Sequence, residues 1–552
     1  MLLLGLGLEG SRFSVIPSSS SKRQGSTLLL DDYTDAAAAY SVRRISSSST
    51  TLMRVREAAG GREADIGYDT NGMLDSAAIA AHCGTADGFV VSWTDQSGNG
   101  NHATQSTAGR QPKIYDGTTQ AVITDNGKPA LDFLLNDNRI FQEVTGLTFN
   151  TNDVGVFVVC TAITGHNAYA TALNIAPGAG TQIAIAYRTE QISYAGTTLG
   201  TGTSDTTQNL VSLYADNASN DVRGYIDGTQ LGTTSTSSNA GTSFTIASLG
   251  GIGSAYWEGT IQEIVFYPSS TKSSHTAIET NINSEYLIYQ PTDTPTSGLL
   301  ATYSGAAAAY SVRQLADTAL ISITVRRDSD DEEKRFGFDS NGDLDTTGIA
   351  DFCTTANGYV SQWWDQSTNG NHATQSTGSA QPQIYNGTAV ITENGKPGVE
   401  FTTFDNLTFT STDIYSFFIV SRPTSIITGS ANFAVGLTTS LKGIAVAGDS
   451  GSRQARAYSN TGTLNMTGIG VSNNQSLVDY VTTGTNGKLR YNAANELVGS
   501  ATEITVDQLG SCQSLNYRVL NGPLQEIVMY ASDQDSNRTG IETNINGYFS
   551  IY

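Results

Sequence analysis

DQSGNGNHATQST, residues 95–107, returns 270 positions later as DQSTNGNHATQST, residues 365–377, with one residue changed in thirteen. The flanking segments recur too. AAAAYSVRRI (36–45) returns as AAAAYSVRQL (306–315), and IGYDTNGMLD (66–75) as FGFDSNGDLD (336–345). VITDNGKPALDF (122–133) matches VITENGKPGVEF (390–401), IQEIVFY (261–267) matches LQEIVMY (524–530), and the copies close on IETNINSEYLIY (278–289) and IETNINGYFSIY (541–552). A repeat this long is a whole domain, not a solenoid turn. The chain therefore reads as an arm (1–28) containing the polar tether SSSSKRQGST, a domain (29–289), a stiff linker QPTDTPTSG (290–298) and a second domain (299–552).

A chain of 552 residues exceeds what one hydrophobic core serves, in keeping with two domains. Asp and Glu number 51 against 29 Lys and Arg, a net charge of −22 that repels phosphate, so no nucleic-acid partner is expected. The four cysteines, Cys83, Cys160, Cys353 and Cys512, include no pair that recurs in both copies, which argues against a disulfide framework. MLLLGLGLEGSRFSV at the start lacks the basic flank and apolar length of a signal peptide or membrane span, so synthesis and assembly in a cytoplasm are expected.

Gly (57), Tyr (25) and abundant Ser and Thr favour short strands joined by turns. DVGVFVVCTAI (153–163) and YSFFIVSRP (415–423) are apolar enough to lie between two sheets, whereas LQEIVMY alternates as a strand near the sheet surface would. Asp-Gly inside VRGYIDGTQLGT (222–233) predicts a hairpin. Helices are expected over LDSAAIAAHC (74–83), capped by Asp75 or Ser76, and over the closing segment, where Ile278, Ile282 and Tyr286 share a face. The economical fold is all-β: two tandem antiparallel β-sandwiches with short helices.

The repeated loop lies between the strand GFVVSWT (88–94) and the extended QPKIY (111–115). Its Asp, Asn and Ser residues suit Asx turns, and Asn-Gly suits positive φ, so a purely structural role is available. The functional alternative is a polar carbohydrate site with an aromatic floor, built from Trp93, Asp95, Asn101 and His102 in one copy and Trp363, Asp365, Asn371 and His372 in the other. Asp339, Asn341, Asp343 and Asp345 place oxygens at alternate positions, as a calcium loop does. Gly342 is misplaced for an EF-hand, however, and Met73 replaces Asp343 in the first copy, so a helix-capping turn is the simpler reading and no cofactor is expected.

WTDQSGNGNHATQ with NGKPALDF, and SAYWEGTIQEIVFYPSS followed by IETNI, resemble the catalytic domain of the family B α-L-arabinofuranosidases. The resemblance implies a concanavalin A-like (laminin-G-like) sandwich. AYSVR, the WTDQSGNGNHATQ loop and the closing IETNIN segment are also similar to tail, fibre and capsid-associated proteins of bacteriophages, over nearly all of both copies. The arabinofuranosidase acid/base is an Asp in a Gly-Asp-Asn run. The corresponding LGGIGSAYWEG (249–259) has Ile252 and no carboxylate ahead of the strand, and LGSCQSLNYRVLNG (509–522) has none either. No counterpart of that family's nucleophilic Glu is found, and Glu258 occurs in one copy only, opposite Leu520 or Asn521.

These resemblances imply a non-catalytic structural protein of a phage virion, a capsid decoration or a fibre-like appendage, assembled in the host cytoplasm. Its expected partners are other virion proteins, reached through the arm, and host-surface glycans, with homo-oligomerisation expected. The competing class is a glycoside hydrolase of arabinofuranosidase type.

Overall fold

The computed structural model describes residues 28–133, 139–163, 171–176, 183–187, 191–201, 207–248, 256–402, 404–424, 431–448, 455–466, 474–513 and 519–552. Except for Leu28, the arm lies outside the described residues, as does Ile252. Two large clusters of buried apolar side chains form, one spanning Leu29 to Ile288 and the other Leu299 to Phe549.

In the first copy a 13-stranded antiparallel sheet faces a six-stranded one. At the centre of the larger sheet lies Gly259–Tyr267, paired with Val154–Ala162 along one edge and with Ala38–Ser41 and Leu131–Phe133 along the other. The second copy repeats this around Gly522–Tyr530, and a bridge between Thr374 and Thr408 joins its two sheets. The hairpin forms at Asp227 (φ 50°) and Gly228 (φ 72°), left-handed positions that Asp-Gly tolerates and that match the strand twist. Asp75 caps the helix Ser76–Cys83, accepting from the Ala78 amide at 2.9 Å. Ile278, Ile282 and Tyr286 of the helix His275–Tyr286 are fully buried. All four cysteines are buried, and none is in a disulfide.

One expectation is corrected. LQEIVMY does not lie near the sheet surface: every residue of Gly522–Tyr530 is buried. Its polar side chains are neutralised internally, Gln525 Nε2 donating to the carbonyls of Glu393, Lys396 and Pro397 and Glu526 pairing with Arg313. A polar residue that brings its own partners can occupy a core strand, so alternation alone misplaced it.

The copies are joined by more than the linker. Arg335 Nη1 donates to the carbonyls of Leu287 (3.1 Å) and Ile288 (2.7 Å), beyond the end of the first copy's closing helix, and its guanidinium lies over Trp364. The Arg335 amide donates to Asn126 Oδ1, and Gln290 Oε1 accepts from the amides of Leu320 and Ile321. These bonds satisfy carbonyls that a helix end leaves free. No helix among the described residues is long and apolar enough to cross a membrane.

Candidate functional site

In the repeated loop Asp95 and Gln96, like Asp365 and Gln366, are buried, whereas Gly98, Asn99, Gly100 and His102 are exposed. Asp365 Oδ1 accepts from the amides of Ala309 (2.8 Å) and Ser367 (2.9 Å), and Oδ2 from Ser367 Oγ (2.8 Å) and the Asn371 amide (3.1 Å). Asp95 makes the same four bonds to Ala39, Ser97 and Asn101. One carboxylate thus closes its own loop and ties it to the first strand of each copy. Gln96 and Gln366 add a second tie, each spanning an arginine carbonyl and the amide of Ile45 or Leu315.

Trp93 and Trp363 are 0% exposed, their indole nitrogens donating to the carbonyls of Ser41 and Ser311. They form no accessible floor on which a sugar ring could stack. Asn101 Nδ2 donates to the Ala37 carbonyl, and in the second copy Asn371 exchanges two bonds with Thr410. His102 and His372 each accept the following bond through Nδ1, from the amides of Asp95 and Asp365, both at 3.0 Å. The structure therefore gathers all eight candidates, four per copy, around a turn rather than around an opening.

His372 also packs on Trp364, with ring centroids 4.4 Å apart. Burial, followed by the charge of Arg335, pushes its imidazole down to about 4. The unfolded chain would protonate near 6.5, so the contribution is intact above pH 6.5 and is lost as the pH falls through that value towards 4. Between those pH values the second copy is expected to lose on the order of 2 kcal/mol more than its His372→Gln variant, after allowance for partial solvent exposure. Urea unfolding at pH 4.5 and 7 measures this; parallel pH profiles would refute it.

The acidic turn 339–345 uses its oxygens locally. Asp339 Oδ1 accepts the amides of Asn341 and Asp343, Asp345 caps the helix Thr346–Cys353 through the Gly348 amide at 2.8 Å, and Asp343 meets Tyr548 Oη and Lys396. Among the described residues no cluster of His, Cys, Asp and Glu is arranged to hold a metal ion.

A constellation absent from the sequence reading is Ser212, His275 and Glu279. Ser212 Oγ lies 3.0 Å from His275 Nε2 and donates to Glu279 at 2.6 Å. The residue types are those of a hydrolytic triad, but the exposures are 0, 3 and 3% and the serine proton is directed to the carboxylate. Asp479, Arg538 and Glu542 occupy the equivalent places in the second copy, also buried. Only the fold brings these residues together, so no local motif signals them. Between the copies is a cavity of about 870 Å3 lined by Arg44, Tyr68, Asp69, Lys128, Lys334 and Asp339 among others. Burial and Lys128 push the Lys334 amine down to about 8. A Cβ on Gly127 would stand 2.4 Å from Lys334 Cδ, so any side chain there would require the lysine stem to shift.

No protein-family model matches the chain, and no curated protein sequence matches it. Among solved structures, a mutant GH54 α-L-arabinofuranosidase soaked with 4-nitrophenyl α-L-arabinofuranoside is similar at 15% identity and a TM-score of 0.37, over 68% of this chain and 90% of that one. Domain 4 of AbnA, a GH43 extracellular arabinanase from Geobacillus stearothermophilus, in complex with arabinotriose, is similar at 12% identity and a TM-score of 0.23, over 44% and 98%. Mouse laminin α1 chain domains LG4-5 are similar at 8% identity and a TM-score of 0.19, over 69% and 82%.

Proposed function

We propose that this chain is a non-catalytic structural protein of a bacteriophage particle, a capsid decoration or fibre-like appendage assembled in the host cytoplasm, that binds host-surface glycans. The observation that carries the reading is where the shared polar residues point. Asp95 and Asp365, Gln96 and Gln366, Arg43 and Arg313, and Glu263 and Glu526 are all turned inward to hold the framework. Where the copies differ, as at Ser212 and Asp479, they differ in chemistry. Duplication has kept a scaffold, and a scaffold carried twice offers two-point attachment.

One observation favours a hydrolase. Glu258, 9% exposed, has Oε2 buried without a hydrogen-bond partner, the state of a carboxyl kept for a reacting group. Its counterpart is Asn521, since their carbonyls accept equivalent bonds from Ile163 and Thr424.

A glycan array run beside a hydrolysis assay on aryl arabinofuranosides separates the two readings, with binding and no turnover expected. Turnover abolished by Glu258→Gln would replace the first reading with the second. Antibody labelling of purified particles tests the virion assignment, which an unlabelled particle would sink.

A further inference from the structure

The two copies diverge at one position beside a cavity of the second copy. The Ile140 amide donates to Arg110 O and the Asn406 amide to Ala380 O, while Gln105 and Gln375 donate to the carbonyls of Ile140 and Asn406. Arg139 and Asp405 are therefore equivalent. In the first copy the buried Arg139 lays its guanidinium 5.2 Å from the Phe89 ring centre, and Arg56 approaches the same ring at 5.2 Å. In the second, Arg326 lies over Tyr359 at 5.3 Å, and Asp405 supplies no second cation in place of Arg139.

Beside Tyr359 is a cavity of about 780 Å3 walled by Arg326, Tyr359, Gln381, Gln383, Thr402 and Asp405. Its size suits a small oligosaccharide, and its lining combines an aromatic ring with amide, hydroxyl and carboxyl groups that match sugar hydroxyls. Arg326 is already engaged by Gln381 Oε1 at 2.8 Å and Asp331 at 2.7 Å, so it offers little to an anion. Asp328, Asp331 and Asp405 face the same space and repel one. Asp405 is itself oriented by the amide and hydroxyl of Thr402, at 2.7 and 2.9 Å.

Beside Asp405, Phe404 is 56% exposed and holds φ at +85°, a strained backbone for a bulky residue. An apolar ring kept in water at this cost, next in the chain to the cavity's Asp405, is available to stack on a bound ring.

We propose that the second copy carries a binding site for neutral glycans, in the cavity between Tyr359 and Asp405. The assignment rests on the glycan-binding reading given above and adds to it the location, the stoichiometry and the preference for uncharged sugars.

Calorimetric titration of the full chain with neutral arabino-, xylo- and galacto-oligosaccharides, beside oligomers of uronic acids, tests it. One equivalent of a neutral glycan per chain is expected, with uronates at least about tenfold weaker. Asp405→Arg, which puts the first copy's residue into the cavity wall, should weaken binding by about tenfold or more, and Phe404→Ala, a surface change, several-fold with unaltered thermal unfolding. Binding left unchanged by both Asp405→Arg and Phe404→Ala, or uronates bound as well as neutral sugars, would overturn the cavity assignment while leaving glycan binding intact. A wild-type chain that binds no glycan at millimolar concentration would overturn both.

Discussion

Asp365→Ala is expected to destabilise the second copy by about 3–5 kcal/mol, because three backbone amides and one hydroxyl lose their common acceptor. Each buried donor left without a partner costs about 1–3 kcal/mol, and water can replace the carboxylate on the outer side of the loop, which sets the total near the low end of the sum. The Ala309 amide cannot be rescued in this way. It is buried on the first strand of the copy and pairs with that carboxylate alone among the side chains described. Asp365→Asn tests the same point more gently, since an amide keeps the shape but can accept only through its single oxygen. Denaturant unfolding of the two variants should show Asp365→Ala well below wild type and Asp365→Asn in between. A loss under about 1 kcal/mol for the alanine variant would mean that the loop is not the staple described, and would reopen the motif as a site with a function other than folding.

Much of the architecture was legible because local chemistry decides it. The Asp-Gly hairpin, the Asp75 cap and the buried Ile278, Ile282 and Tyr286 stripe depend on residues within a few positions of one another. What was not legible depends on partners far along the chain. Glu526 reads as a surface residue until Arg313, more than two hundred positions away, is placed against it. The direction in which Asp95 and Asp365 face is fixed by the amides of Ala39 and Ala309, which a loop read by itself does not reveal. The candidate glycan cavity shows the same limit. Asp405 is unremarkable among the acidic residues of this chain, and it gains meaning only when matching the copies aligns it with Arg139 and the fold puts it in one cavity with Tyr359. Ser212, His275 and Glu279 likewise meet across a strand and a helix without any shared motif.

Arg313→Met is expected to cost the second copy about 3–5 kcal/mol, and restoring charge balance by Arg313→Met with Glu526→Met is expected to recover most of it. Glu526 is fully buried and receives Arg313 Nε at 2.7 Å, Nη2 at 2.9 Å and Ser311 Oγ at 2.7 Å. Removing the guanidinium leaves a carboxylate in the core with one hydroxyl for company, and also removes the contacts of Arg313 with Asn544 and the Tyr548 ring. The pair itself is another matter. Its two charges are desolvated, so its attraction is largely offset, and a volume-matched apolar pair can stand in for it. In a domain of this size the single change should lower the melting temperature of the second copy by on the order of 10 °C, and the double change by far less. The same contrast is expected for Arg43 and Glu263, which make the equivalent contacts in the first copy, with Tyr286 Oη adding a bond at 3.1 Å. If the single and double variants were equally stable, the pair would not be a buried charge held by its partner. The inward-turned residues shared by the two copies would then need a purpose beyond holding the fold, and the hydrolase reading would gain what the scaffold reading lost.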